Sequence, residues 1–160
     1  MKIDYLMQPL GKWTFKSAPK TKEWVENQCK RKVLNLYAGA TRLDVDEYRI
    51  DLSDEFEPDL VMNSIDFVHT TDMKFDTILL DPPYSFRKSK ELYGNKRMGP
   101  MPILKNAIER ITNPGHRVIQ LGYETGGMGK KRGPYKKIAL AVICHGGELR
   151  DTLVLVEEKQ

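Results

Sequence analysis

The chain has 160 residues, with 26 Lys/Arg against 22 Asp/Glu, a net charge of +4 and a pI near 9.0. That length fits one domain around one core, and 40% hydrophobic with 30% charged residues excludes a disordered or membrane-embedded chain. The mild basic excess leans toward an anionic partner.

No apolar run is long enough to cross a bilayer. Lys2 and Asp4, with no apolar segment behind them, read against a signal peptide. Cys29 and Cys144 stand apart without metal-type spacing, which suits a reducing, cytoplasmic setting and predicts no metal site. The whole chain, 1–160, reads as one domain, with 1–32 an N-terminal arm and helix and 33–157 the core.

Residues 1–10 contain a short strand or arm, followed by an aromatic-bearing loop with Trp13 and Phe15. These two aromatics either wall a ligand site or pack the arm on the core. Pro19 and Thr21 mark a helix start, with the helix over 22–30. Residues 33–37 form a buried strand that runs into Ala38-Gly39-Ala40-Thr41, small residues that let backbone approach a ligand. The next strand, 47–51, ends on Asp51, twelve residues after Gly39, so the intervening helix is a turn or two at most. An acid at that strand tip suits ribose hydroxyls. A short strand at 60–62, Asn63 and a helix over 65–69 follow.

The stretch Phe75-Asp76-Thr77-Ile78-Leu79-Leu80-Asp81-Pro82-Pro83-Tyr84 organises the rest. Its apolar half is a buried strand, which must stop where Pro82 and Pro83 remove two backbone donors. An acid, a stiff double-proline turn and an aromatic are thus presented at a strand's C-terminal end, the edge where open α/β sheets bind ligands. A helix over 102–112, a strand at 116–121, a glycine-rich basic loop over 122–137 and a hairpin of 138–144 with 152–156 complete the chain. The pattern predicts an α/β fold, a mostly parallel sheet ending in an antiparallel β-hairpin.

In this order, Asn35-Leu36-Tyr37-Ala38-Gly39, Asp51, Asn63, Asp81-Pro82-Pro83-Tyr84 and the hairpin resemble the class I S-adenosylmethionine-dependent methyltransferases. More narrowly they resemble the amino-methyltransferases with a D/N/S-P-P-Y/F/W motif. The resemblance covers roughly 33–157 and implies a Rossmann-like domain that uses S-adenosylmethionine. It assigns Tyr37, Ala38 and Gly39 to the cofactor loop, Asp51 to the ribose and Asn63 to the adenine amino group. Asp81, Pro82, Pro83 and Tyr84 become the catalytic motif, with Asp81 also beside the cofactor. Phe15 matches an aromatic that precedes the glycine loop in related enzymes. Two departures stand out: Asn35 replaces the family's usual Asp, and Ala40-Thr41 replaces the second glycine.

The implied reaction is methylation of an exocyclic amino group of a DNA or RNA base, adenine N6 first, guanine N2 next and cytosine N4 third. Ten Lys/Arg residues fall in the loops after Asp81 and after Leu121, and Arg87, Lys88, Lys130, Lys131 and Arg132 are the candidate phosphate contacts. With no room for a separate recognition domain, a protein partner is a candidate for target choice. Three alternatives compete: a protein glutamine amide as substrate, a nucleic-acid-binding or regulatory subunit without cofactor, and a dinucleotide-binding oxidoreductase. Members acting on glutamine more often carry Asn at the first motif position. The oxidoreductase lacks a full G-x-G-x-x-G and leaves the double proline unexplained.

Overall fold

A computed structural model describes residues 1–8, 15, 19–83, 99–147 and 150–160. Among them are eight strands and three helices: β1 (Lys2–Met7), α1 (Pro19–Gln28), β2 (Val33–Leu36), β3 (Glu47–Asp51), β4 (Leu60–Val61), α2 (Ser64–Thr70), β5 (Thr77–Leu80), α3 (Met101–Ile111), β6 (Arg117–Gly122), β7 (Tyr135–Cys144) and β8 (Thr152–Lys159). One sheet holds all the strands in the order β4-β3-β2-β5-β6-β8-β7-β1. Every pairing is parallel except those of β8, which runs antiparallel to both β6 and β7.

Alternate residues of one strand supply two cores, because side chains leave a strand on opposite faces in turn. Ile78 and Leu80 join Leu34, Leu36, Ile50 and Val118 under α2 and α3, while Leu79 joins Val33, Ile119 and Val156 under α1. Each fully buried Leu or Ile here contributes about 1.5–3 kcal/mol relative to exposure. Burial on both faces explains why the central strands are continuous apolar runs rather than alternating ones.

Two features depart from the sequence expectation. The strand expected within residues 1–10 extends the sheet beyond the terminal hairpin: β1 adds in parallel beside β7, with Lys2 opposite Ala139 and Met7 opposite Cys144. Parallel pairing between strands so far apart in sequence leaves no local signal. The second departure is the basic segment after β6. It leaves the sheet at the C-terminal edge but returns along α3, so that β7 begins at the opposite edge with Tyr135 beside Lys159.

That return path is packed. Met128 is fully buried, its N–H donates to Glu157 Oε2 at 2.7 Å, and Lys105 Nζ donates to the Gly127 carbonyl at 2.6 Å. Gly127 sits at φ +57, and a Cβ there would collide with the Glu157 carboxylate, so glycine is required for close approach rather than for mobility. Burial pushes the Glu157 carboxyl up and the Lys105 ammonium down.

Among the described residues no helix is long and apolar enough to cross a membrane, and no cluster of His, Cys, Asp and Glu could hold a metal.

Candidate active site

Strand order locates the crevice. From β2 the chain moves outward through β3 to β4, then crosses back to β5 on the other side of β2. Connections therefore diverge between β2 and β5, and the gap at their carboxyl ends is where open α/β sheets bind ligands. Leu36 pairs with Leu80, so Tyr37 and Asp81 continue from neighbouring strand ends. The structure thus brings the Tyr37-Ala38-Gly39 turn and the Asp81-Pro82-Pro83 turn to one crevice. Asp81 and Pro83 are half-buried and Pro82 is buried. Tyr84, Arg87 and Lys88 lie outside the described residues.

The β2 turn is unusual in its chemistry. Tyr37 sits at φ +61 and Gly39 at φ +48, so two of three consecutive residues are left-handed. A tyrosine pays about a kcal/mol or more for that conformation. Its ring is buried, its hydroxyl bonds to Ser64 at the start of α2, and burial pushes its phenol up to about 12. Packing and that bond hold the turn against the backbone preference.

Asp51 is 3% exposed and receives two backbone amides: Gly39 N–H at Oδ2 (2.8 Å) and Ser53 N–H at Oδ1 (2.9 Å). It therefore ties the β2 turn to the end of β3. Asn63 caps α2, its Oδ1 accepting from the Ile65 N–H at 2.8 Å. Asn63→Ala should cost about 1 kcal/mol of stability, read as a lower denaturant midpoint; a change within error would remove the capping role.

Beneath the turn lies a polar network that the sequence reading missed. Asn35, 1% exposed, donates through Nδ2 to Glu47 Oε2 at 3.1 Å, and its Oδ1 is buried with no hydrogen-bond partner among the described residues. Glu47 Oε1 accepts from the Leu43 N–H at 3.0 Å and lies 3.8 Å from Arg49 Nε. Burial pushes the Glu47 carboxyl up. Arg49, 2% exposed, donates to the carbonyls of Gly39 (2.6 Å), Thr41 (3.0 Å), Phe56 (3.1 Å) and Glu57 (2.9 Å). A charged residue inside a short strand reads as solvent-facing, and its one legible cue was the buried β2 beside it.

Of the candidate phosphate contacts, Lys130 and Lys131 are exposed. Arg132 is committed within the chain: its guanidinium donates to Asn106 Oδ1 (2.7 Å), the Met128 carbonyl (2.8 Å) and the Pro102 carbonyl (3.2 Å). Phe15 is buried against the α1 face of the sheet with Val25 and Leu43, as part of the core.

No protein-family model matches the chain, and no curated protein matches it. Solved structures do. N-methyltransferase NodS from Bradyrhizobium japonicum, in complex with S-adenosyl-L-homocysteine, matches with a TM-score of 0.61 at 9% identity over 88% of this chain and 86% of that one. TrmN from Thermus thermophilus matches at 0.56 and 17% identity over 88% and 48%. The tRNA (uracil-54, C5)-methyltransferase of Pyrococcus abyssi, also with S-adenosyl-L-homocysteine, matches at 0.58 and 14% identity over 94% and 40%. The fold is that of the S-adenosylmethionine-dependent methyltransferases. The chain spans about half the length of TrmN, and less of the Pyrococcus enzyme. In this methyltransferase fold the β2–β5 crevice and the antiparallel β8 are present, and β1 extends the sheet beyond β7.

Proposed function

We propose that this chain transfers a methyl group from S-adenosylmethionine to an exocyclic amino group of a nucleic-acid base, adenine N6 in first place and guanine N2 next. The observation that carries the reading is the Asp81-Pro82-Pro83 turn at the end of β5, facing the left-handed β2 turn across the crevice where the strand order reverses. Neighbours of the same fold that bind the demethylated cofactor, and one that acts on tRNA, support the cofactor and the substrate class.

The residues present fit this cofactor. Gly39 and Ala40 offer backbone at close range, and Asn35 Oδ1 is a buried acceptor two residues below the turn. In the proposed arrangement Tyr37, Ala38 and Gly39 hold the methionine part, Asp51 the ribose and Asn63 the adenine. Bound there, the cofactor supplies an activated methyl group on a sulfonium.

The rest is work for the chain's own groups. An amino group conjugated into a base ring is a poor nucleophile until its nitrogen becomes more tetrahedral. The Asp81 carboxylate and the Pro82 carbonyl, as two acceptors for its two N–H bonds, favour that change. Two prolines keep those acceptors in place, so little reorganisation is needed as charge develops. Tyr84 stacks on the base and fixes its plane. Lys130 and Lys131, with Arg87 and Lys88, provide phosphate contacts, while Arg132 serves the α3 packing described above. An unpaired RNA base is the easier substrate, because a duplex base costs a few kcal/mol to flip out.

Methyl-labelled S-adenosylmethionine, incubated with total RNA or duplex DNA and followed by digestion to nucleosides, tests the reading. Label should appear in an N6-methyladenine or N2-methylguanine nucleoside, and more from RNA. Label confined to a ring carbon such as uracil C5, or to protein, would overturn the amino-group assignment.

A further inference from the structure

The β2 turn lacks the second glycine of such loops in the family it resembles, yet it is held in a defined form by a buried guanidinium. Arg49 bonds the carbonyls of Gly39 and Thr41 from beneath. The same group bonds Phe56 and Glu57, and so ties the loop after β3, next to Asp51, to the loop after β2. No peptide bond in the described chain is cis. In a trans peptide the C=O and the following N–H point in opposite directions. Each carbonyl drawn inward to Arg49 therefore turns the next N–H, of Ala40 or Arg42, away from the interior. Neither N–H has a hydrogen-bond partner among the described residues.

We propose that Arg49 is the positioning residue of the cofactor loop, fixing from below the peptide whose Ala40 N–H meets the carboxylate end of the cofactor. The inference rests on the cofactor reading above and deepens it. Charge-assisted bonds from a buried guanidinium replace the backbone freedom that glycines supply elsewhere. The arrangement also explains why Ala40-Thr41 is tolerated: the loop's shape is imposed by its carbonyls, not by its side chains. Lysine is no equivalent, because a single ammonium lacks the planar fork that spans four carbonyls.

The test uses the chain of residues 1–160. Calorimetric titration with S-adenosylmethionine should show affinity reduced about tenfold or more in Arg49→Met, as expected for losing bonds to a charged group. Arg49→Lys should recover part of that loss. In steady-state assays the loss should fall on KM for the cofactor more than on kcat, which general destabilisation would not produce. If Arg49→Met fails to fold, ¹⁵N spectra of the wild-type chain decide: the Ala40 amide should shift strongly on saturation with cofactor. Wild type that binds no cofactor removes both the proposed function and this inference. Wild type that binds, with Arg49→Met binding equally well or with the Ala40 amide unmoved, removes this inference alone.

Discussion

Replacing Asp81 by alanine should lower kcat for methyl transfer by about 10²-fold or more, the scale of removing one preorganised polar group from a transition state. The expectation follows from position. Asp81 directly follows a strand buried on both faces, and the next residue, Pro82, is itself buried, so rigid backbone fixes its position. In the proposed mechanism, losing it leaves only the Pro82 carbonyl to favour the tetrahedral nitrogen. Asp81→Asn keeps an acceptor oxygen without the charge and should fall between wild type and alanine. Because Asp81 also borders the proposed cofactor crevice, cofactor affinity measured in parallel separates binding from chemistry. Methyl incorporation that is unaffected by Asp81→Ala would disprove the mechanism.

Asn35→Asp, which installs the residue usual in the family the sequence resembles, should destabilise this protein by about 2–4 kcal/mol at neutral pH. Asn35 donates to Glu47, so the carboxylate of this region lies on the neighbouring strand. A second acid at position 35 removes the donor and sets two carboxylates in hydrogen-bond contact at a site almost sealed from water. Such a pair holds a proton, raising a folded-state pKa above the unfolded value. The folded state then binds more protons than the unfolded state, so the variant gains stability relative to wild type as pH falls from 8 toward 5. Denaturant midpoints across that range check both magnitude and sign. A variant as stable as wild type at pH 8 would mean that Asn35 and Glu47 are not coupled as described.

Much of the architecture was legible because both faces of the central strands are buried. Residues 33–36 and 77–80 could be read as strands from unbroken apolar runs, and prolines and glycines marked their ends. What stayed hidden depends on contacts distant in sequence. The pairing of β1 with β7 joins residue 2 to residue 139, and nothing local announces it. The segment after β6 read only as a glycine-rich basic loop, whereas Gly127 is there to admit the Glu157 carboxylate and Met128 to fill the core under α3. At the site, Asp81 and the β2 turn were legible as motifs. Asp51 and Asn63 were legible as positions, but their bonds to Gly39, Ser53 and Ile65 emerge only from the folded backbone. Arg49 gave no warning, since burying a guanidinium in a strand is sensible only once four carbonyls converge on it.

The β2 turn departs from the pattern of the family the sequence resembles, so cofactor binding is the property that the proposed function most depends on. Calorimetric titration of the purified chain with S-adenosylmethionine tests it most directly. Saturable, one-site binding well below millimolar ligand, competed by S-adenosylhomocysteine, is the expected result. Absence of binding at millimolar S-adenosylmethionine would contradict the proposed function.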